Sequence, residues 1–485
     1  MGPPKQPRGH AKQVSAFVFV DTSSTTFAGI VSQDDKINIR RQAARSGNKR
    51  HKRRRPESTT QEDESDSQIR LAVLEKRAYT LRPRLSSKGY ESLRATYNFD
   101  ILDLASFADV DLATNAHQLV QNEPNWYKDI LRQSASSFLV HLPSRYGQDP
   151  CLDDTMRCVA ARASQMVGMP MKPCIPDLLY GKALESLQKE IGKPSFTPTV
   201  NSYGATRLLV LYELLGQPHK NRLVTHLRGS VQLLGLRKAA QYESEFDRAL
   251  LKSQGPSIVV DELYRMRSSM FEDAEWQRLL QHASVLETDH ESSFWWKFLG
   301  VVAFLPGILK DMRLLFDVEG YQSGSTGQSA KILERATMVY RKLHEHNILY
   351  QRKPPHPSSL FNLPTSTESP DRIRLREFFL YTMIFICRIK ATLSPDDWDR
   401  ALNEEEAQNA ANQALLIEKV TKQFDKTMAW HFEQRNSLAK SVTETRVEWL
   451  ADLVSDGDLH KLLAQRWLKW ENSWRNSVLD VEYGE

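Results

Sequence analysis

The chain is poor in cysteine. Its 485 residues hold four: Cys151, Cys158, Cys174 and Cys387. So few thiols in so long a chain make no disulfide framework, and a reducing compartment is expected. None stands in a C-x-x-C pair, the spacing that small zinc modules require. Cys151, Cys158 and Cys174 therefore read as buried packing thiols. Long apolar runs are missing too. The longest, "FWWKFLGVVAFLPGIL" (Phe294–Leu309), contains Lys297 and Pro306 and is short for a membrane span. It predicts a buried helix that ends near the proline. "SAFVFV" (Ser15–Val20) is too short for a secretory signal and lacks a cleavage site.

The motifs of common catalysts are absent as well. A phosphate loop needs Gly-Lys followed by Ser or Thr, but Gly181-Lys182 runs into Ala183 and Gly192-Lys193 into Pro194. No G-x-S-x-G and no H-E-x-x-H occurs. "HEH" (His344–His346) sets two imidazoles on different faces of a helix, a poor metal geometry. Asp153-Asp154 has no third carboxylate at helical spacing. "NSLAKSVTE" (Asn436–Glu444) has the ends of the magnesium motif of helical terpene cyclases. Its serine, Ser441, falls one place late, and Ser437 stands where a carboxylate belongs. We expect no catalytic activity, no metal and no cofactor from this chain.

Charge is present in quantity and unevenly divided. Residues 1–55 carry 13 Lys/Arg against 3 Asp/Glu, a balance of +10, while the remainder carries 52 against 57. Within residues 36–55 there are ten cations and no acid. Besides Lys36 they are Arg40, Arg41, Arg45, Lys49, Arg50, Lys52, Arg53, Arg54 and Arg55. Lys49–Arg55 has the form of a single-cluster nuclear-import signal. Arg40-Arg41, ten residues and then "KRRRP" (Lys52–Pro56) has the form of a two-cluster one. The same cations suit DNA phosphates, which gives salt-sensitive binding blind to sequence. No Phe, Trp or Tyr interrupts residues 37–55, so base stacking on single strands is not expected. A basic-zipper reading of "NIRRQAARS" (Asn38–Ser46) fails on spacing, on Gly47 and on the lack of a following leucine heptad. An import receptor and DNA are the expected partners of this arm, and the nucleus is its expected location.

Residues 56–67, "PESTTQEDESDS", have no aliphatic or aromatic side chain. Such a segment buries too little apolar area to offset its ordering entropy. We expect residues 1–67 to be a disordered arm, 68–145 an irregular connection with short helices, and 146–480 a helical domain. A period of 3.6 dominates there. Leu208, Leu211, Tyr212 and Leu215 share a face, as do Leu223, Leu227, Val231 and Leu234, and Ala407, Ala411 and Leu415. Leu463, Trp467, Trp470 and Trp474 form a stripe at spacings of four, three and four, predicted to be core. "RKPPHPSSLFNLPTSTESPD" (Arg352–Asp371) reads as a surface loop or a hinge. The expected fold is all-α: one large multi-helix domain of packed antiparallel helices behind a basic arm.

Four stretches occur in a telling order. "SRYGQDPCLDDTMRCVAARAS" (Ser144–Ser164) leads to "YGKALESLQKEIG" (Tyr180–Gly192). "TRLLVLYELLG" (Thr206–Gly216) and "HLRGSVQLLGLR" (His226–Arg237) follow. This order resembles the fungal-specific transcription factor domain, over roughly residues 95–480. The resemblance implies a helical regulatory domain that dimerises or binds co-regulators, and it singles out Tyr212, Glu213, His226, Gly229 and Arg237. The N-terminus is similar to variants of that family in which an "FVFV" piece and a basic stretch stand where relatives carry a six-cysteine zinc cluster. The base-reading module is therefore missing, and two readings follow: a nuclear regulator that touches DNA phosphates, or a co-regulator working through a partner factor. The residues also have readings of their own. Gly229 in mid-helix costs about 1 kcal/mol relative to Ala, which either close approach of another helix or simple tolerance of an exposed glycine would explain. His226 reads as a cap or packing residue. Arg207 and Glu213 read as a solvated face.

Overall fold

The computed structural model describes residues 87–109, 131, 134, 137–193, 195–216, 220–317, 326–351, 359–366, 368–425, 436–450 and 459–483. The arm of residues 1–67, with its basic run and "FVFV" piece, lies outside them. Every regular element among the described residues is helical. The described residues all belong to one compact unit.

That unit starts with short elements. Helix α1 (Lys88–Tyr97) is capped by the Ser87 hydroxyl, which accepts the Tyr90 N–H at 3.1 Å, and ends at Asn98 in the left-handed region. Short helices α2 (Ala105–Asp109) and α3 (Leu142–Arg145) follow. Then α4 (Pro150–Met166) begins with proline in its first turn, behind an Asp149 cap that accepts the Cys151 and Leu152 N–H groups. Around α4 pack α1, α5 (Cys174–Ile191) and α6 (Val200–Leu215). Helix α7 (Lys220–Leu236) packs on α6.

Helix α6 sits at the centre of this half. A Thr199–Ser202 capping box starts it, and every residue from Ser202 to Leu215 is buried. The expected solvated face is therefore corrected. Arg207 and Glu213 are both buried, because neighbouring helices cover α6 all round.

The second half continues as α8 (Glu245–Tyr264), α9 (Ala274–Leu286), α10 (His290–Val302) and α11 (Leu305–Asp317). The long apolar run divides where the proline predicts: α10 stops at Val302, and Pro306 sits in the first turn of α11. Helix α8 crosses α10 closely enough to demand a glycine. A Cβ on Gly255 would stand 2.7 Å from Leu299 Cδ2.

Next come α12 (Thr326–Gln351), α13 (Pro370–Leu393) and α14 (Asp397–Thr421), with α13 packed between the other two. Between α12 and α13, the described part of the Pro-rich break is pinned. Asn347 Oδ1 accepts the Leu360 N–H at 2.9 Å, and buried Arg376 donates to the carbonyls of Ser359 and Asn362. Helices α15 (436–444), α16 (Arg446–Leu450) and α17 (Leu459–Tyr483) close the unit. The tryptophan stripe of α17 is core: Trp467, Trp470 and Trp474 are buried, and the last two meet Phe385 of α13. Among the described residues, no helix is long and apolar enough to cross a membrane.

Candidate functional site

The cations of the arm, Arg40 to Arg55, lie outside the described residues. The five residues singled out in the body lie within them. Three converge on one side chain that sequence reasoning did not single out, Tyr180 of α5.

Tyr180 is buried between α6 and α7. Its hydroxyl lies 2.8 Å from His226 Nε2, with the Glu213 carboxyl nearby on α6. Burial, then the nearby Glu213 carboxyl, pushes the Tyr180 phenol above its ordinary value. Burial, then the charge of Arg222, pushes His226 down to about 4. The imidazole is neutral at pH 7, and His226, Tyr180 and Glu213 form one buried polar cluster.

A second layer joins this cluster to the surface. The Tyr180 and Tyr212 rings stack at 4.5 Å, with planes 14° apart. The Tyr212 hydroxyl donates to Asp177 Oδ1 at 2.9 Å and accepts from Arg162 Nη2 at 2.6 Å. Arg162 pairs with the same Asp177 oxygen at 2.6 Å and lies 4.7 Å above the Tyr212 ring. The Asp177 side chain is 69% exposed. The result is a polar seam leading from solvent at α5 to a buried carboxylate on α6.

Arg237 lies apart from that seam. It pairs with Asp247 at the start of α8 at 2.5 Å, donates to the Gln241 carbonyl and stacks over Tyr242. His226 and Ser230, four apart, share one face of α7, and Arg237 follows just past its end. Ser230 completes the row by accepting Gln254 Nε2–H, while Gln254 Oε1 accepts the Tyr203 hydroxyl. The motif from His226 to Arg237 is therefore a polar stripe that fastens α7 to α5, α6 and α8. Gly229 has no such role. A Cβ there would meet Thr206 Cγ2 at 3.9 Å, an ordinary contact. The expected close approach is absent at Gly229 and present at Gly255.

The thiols follow the packing reading with one correction. Cys151 and Cys158 are buried, and burial raises both, Cys151 to about 12. Cys174 is exposed, at the first position of α5. Among the described residues no group of three His, Cys, Asp or Glu side chains is placed to hold a metal ion. The terpene-cyclase-like stretch is spent on packing. Asn436 accepts the Tyr381 hydroxyl at 2.9 Å, and Ser441 accepts Trp470 Nε1–H at 2.9 Å.

A second buried polar centre carried no motif at all. Arg388 of α13 is fully buried and bonds Glu404 of α14 at 3.1 and 2.8 Å. It also donates to Thr445 Oγ1 and to the Val442 carbonyl. Its guanidinium lies 3.9 Å from the centre of the Trp449 ring and 4.8 Å from that of Trp470. Burial pushes Arg388 down to about 10 and Glu404 up, so desolvation outweighs pairing at both partners. A cation between tryptophans at this site is the protein's own.

No protein-family model, no curated protein and no solved structure matches the chain.

Proposed function

We propose that this protein is a nuclear transcription regulator of fungal type. Its helical body would serve as a regulatory and interaction domain, and its basic arm as import signal and DNA phosphate clamp. The observation that carries this reading is the juxtaposition in sequence: ten cations without an acid in residues 36–55, ahead of a body of the opposite charge balance. The body's all-helical architecture agrees with the helical domain its sequence resembles. The second reading, a co-regulator acting through a partner factor, is favoured by one fact: the arm has no cysteine with which to build a base-reading zinc module.

A gel shift separates the two readings. The full chain and a chain lacking residues 36–55 are compared on promoter and scrambled DNA at two salt concentrations. Phosphate binding by the arm gives equal affinity for both DNAs, a steep salt dependence of about 0.9 in log K per phosphate engaged, and loss of binding on deletion. No shift by the full chain at low salt rejects the DNA-clamp role and leaves the co-regulator. The import role is tested separately. Replacing Lys52, Arg53, Arg54 and Arg55 by Ala is expected to leave a fluorescent fusion outside the nucleus, and a fusion still concentrated there rejects it.

A further inference from the structure

Helix α14 begins in solvent, and its start is firmly built. Asp396 caps it, with its carboxylate accepting the Asp399 N–H at 3.0 Å. Arg400 folds back, buried, and donates to the Ser394 and Pro395 carbonyls at 2.7 and 2.9 Å. This anchored first turn carries Trp398 at 75% exposure. Leu402, one turn on and on the same face, is 53% exposed. The other described tryptophans are buried or half-buried. An indole held out on a capped helix end is a large apolar surface left in water, on a backbone already anchored.

Along the chain, the patch is flanked by one sign of charge. Asp396, Asp397, Asp399 and Glu405 are exposed, Asp397 pairs with the buried Arg400, and Arg400 is the only cation between Ala391 and Glu418. An apolar centre inside a polar rim is the anatomy of a binding patch, and tryptophan is among the residues enriched at the energetic centres of such patches. An acidic rim repels nucleic acid and anionic membrane and attracts a cationic protein segment.

We propose that the N-terminal turns of α14 are a docking surface for a lysine- or arginine-rich segment of another protein. That segment would seat an apolar side chain on Trp398 and Leu402 while its cations meet the acidic rim. The inference rests on this patch alone and stands whether or not the chain acts on DNA.

The test uses the full chain and a fluorescent synthetic peptide in which lysine pairs alternate with leucines, read by anisotropy. Two control peptides keep the cations with serine for leucine, or keep the leucines with glutamate for lysine. The wild-type chain should bind the first peptide and neither control, and added salt should weaken the binding. Trp398→Ala should weaken it by about tenfold or more, and Trp398→Phe by much less. Both variants should melt with the wild type, since the side chain is exposed. Affinity unchanged in Trp398→Ala, or equal binding of the serine peptide, overturns the proposal. So does Trp398-dependent self-association in sedimentation, which would give the patch to a second copy of the chain.

Discussion

Two buried polar centres divide this protein, and they solve the same problem differently. The seam at Tyr180 joins a phenol to a neutral imidazole beside one carboxyl, with a second layer that reaches solvent at Asp177. The clasp at Arg388 is an ion pair roofed by two tryptophans, with further bonds to Thr445 and the Val442 carbonyl and from Gln408. Losing the Tyr180 hydroxyl removes a hydrogen bond between neutral groups. Losing one partner of the clasp leaves a buried charge, which costs more.

The largest expected effect comes from breaking the clasp. Arg388→Ala should cost about 3–5 kcal/mol in urea unfolding, since it strands Glu404. The double variant Arg388→Met with Glu404→Leu should recover most of that loss. If the double variant is as unstable as the single one, desolvation is not what makes the site sensitive.

The seam should yield less. Tyr180→Phe keeps the stacked ring and removes the hydroxyl that bonds His226, at an expected cost of about 1–3 kcal/mol. A loss equal to that of Arg388→Ala would erase the distinction between the two centres.

A third, smaller effect is in pH. His226 is depressed to about 4, so its contribution is complete above 6.5 and is lost as pH falls toward 4. Glu262 of α8 is raised to about 7, first by burial and then by the charges of Asp261 and Glu272, against hydrogen bonds from Ser269 and Met270. Its contribution is complete below 4.5 and is lost as pH rises through 7. Between pH 6.5 and 5 the two oppose each other. The His226→Gln variant should therefore gain stability on acidification relative to wild type, and Glu262→Gln should lose it, each by up to about 2 kcal/mol. Parallel profiles for all three proteins would remove the seam histidine from the account.

The smallest effect should carry a favourable sign. Gly229→Ala has room and should stabilise by about 0.5–1 kcal/mol, whereas Gly255→Ala must push against Leu299 and should destabilise. Thermal melts of the two variants read both signs.

Much of the fold was legible because helical periodicity is local. The stripes at Leu208–Leu215 and Leu463–Trp474 predict buried faces, and Pro306 marks a helix boundary. The seam was half legible. Tyr180, Tyr212, Glu213 and His226 all stood in the four stretches that carry the resemblance, and Asp177 and Tyr180 share a face of α5. Only packing reveals that they meet, because the contact of Tyr180 with His226 leaves no trace in either segment. Glu213 and Arg207 were misread for the same reason. A charged residue on a leucine-rich helix signals solvent unless other helices close over it. Arg388 and Glu404 left no signal, since sixteen residues and a turn separate them and their roof comes from a third region.

That roof has a consequence in time. Glu404 leaves the ribosome soon after Arg388, but Trp470 follows it by about 66 residues, which takes roughly 3–13 s at ordinary rates of synthesis. Trp449 follows Glu404 by about 45 residues, so the pair first waits without any tryptophan cover and then with only that one, in a chain whose other apolar faces are largely made. The last helix thus arrives as a late seal, and a nascent chain stalled before Trp470 would present a half-roofed charge pair and the bare Phe385 ring to the quality-control machinery of the cell.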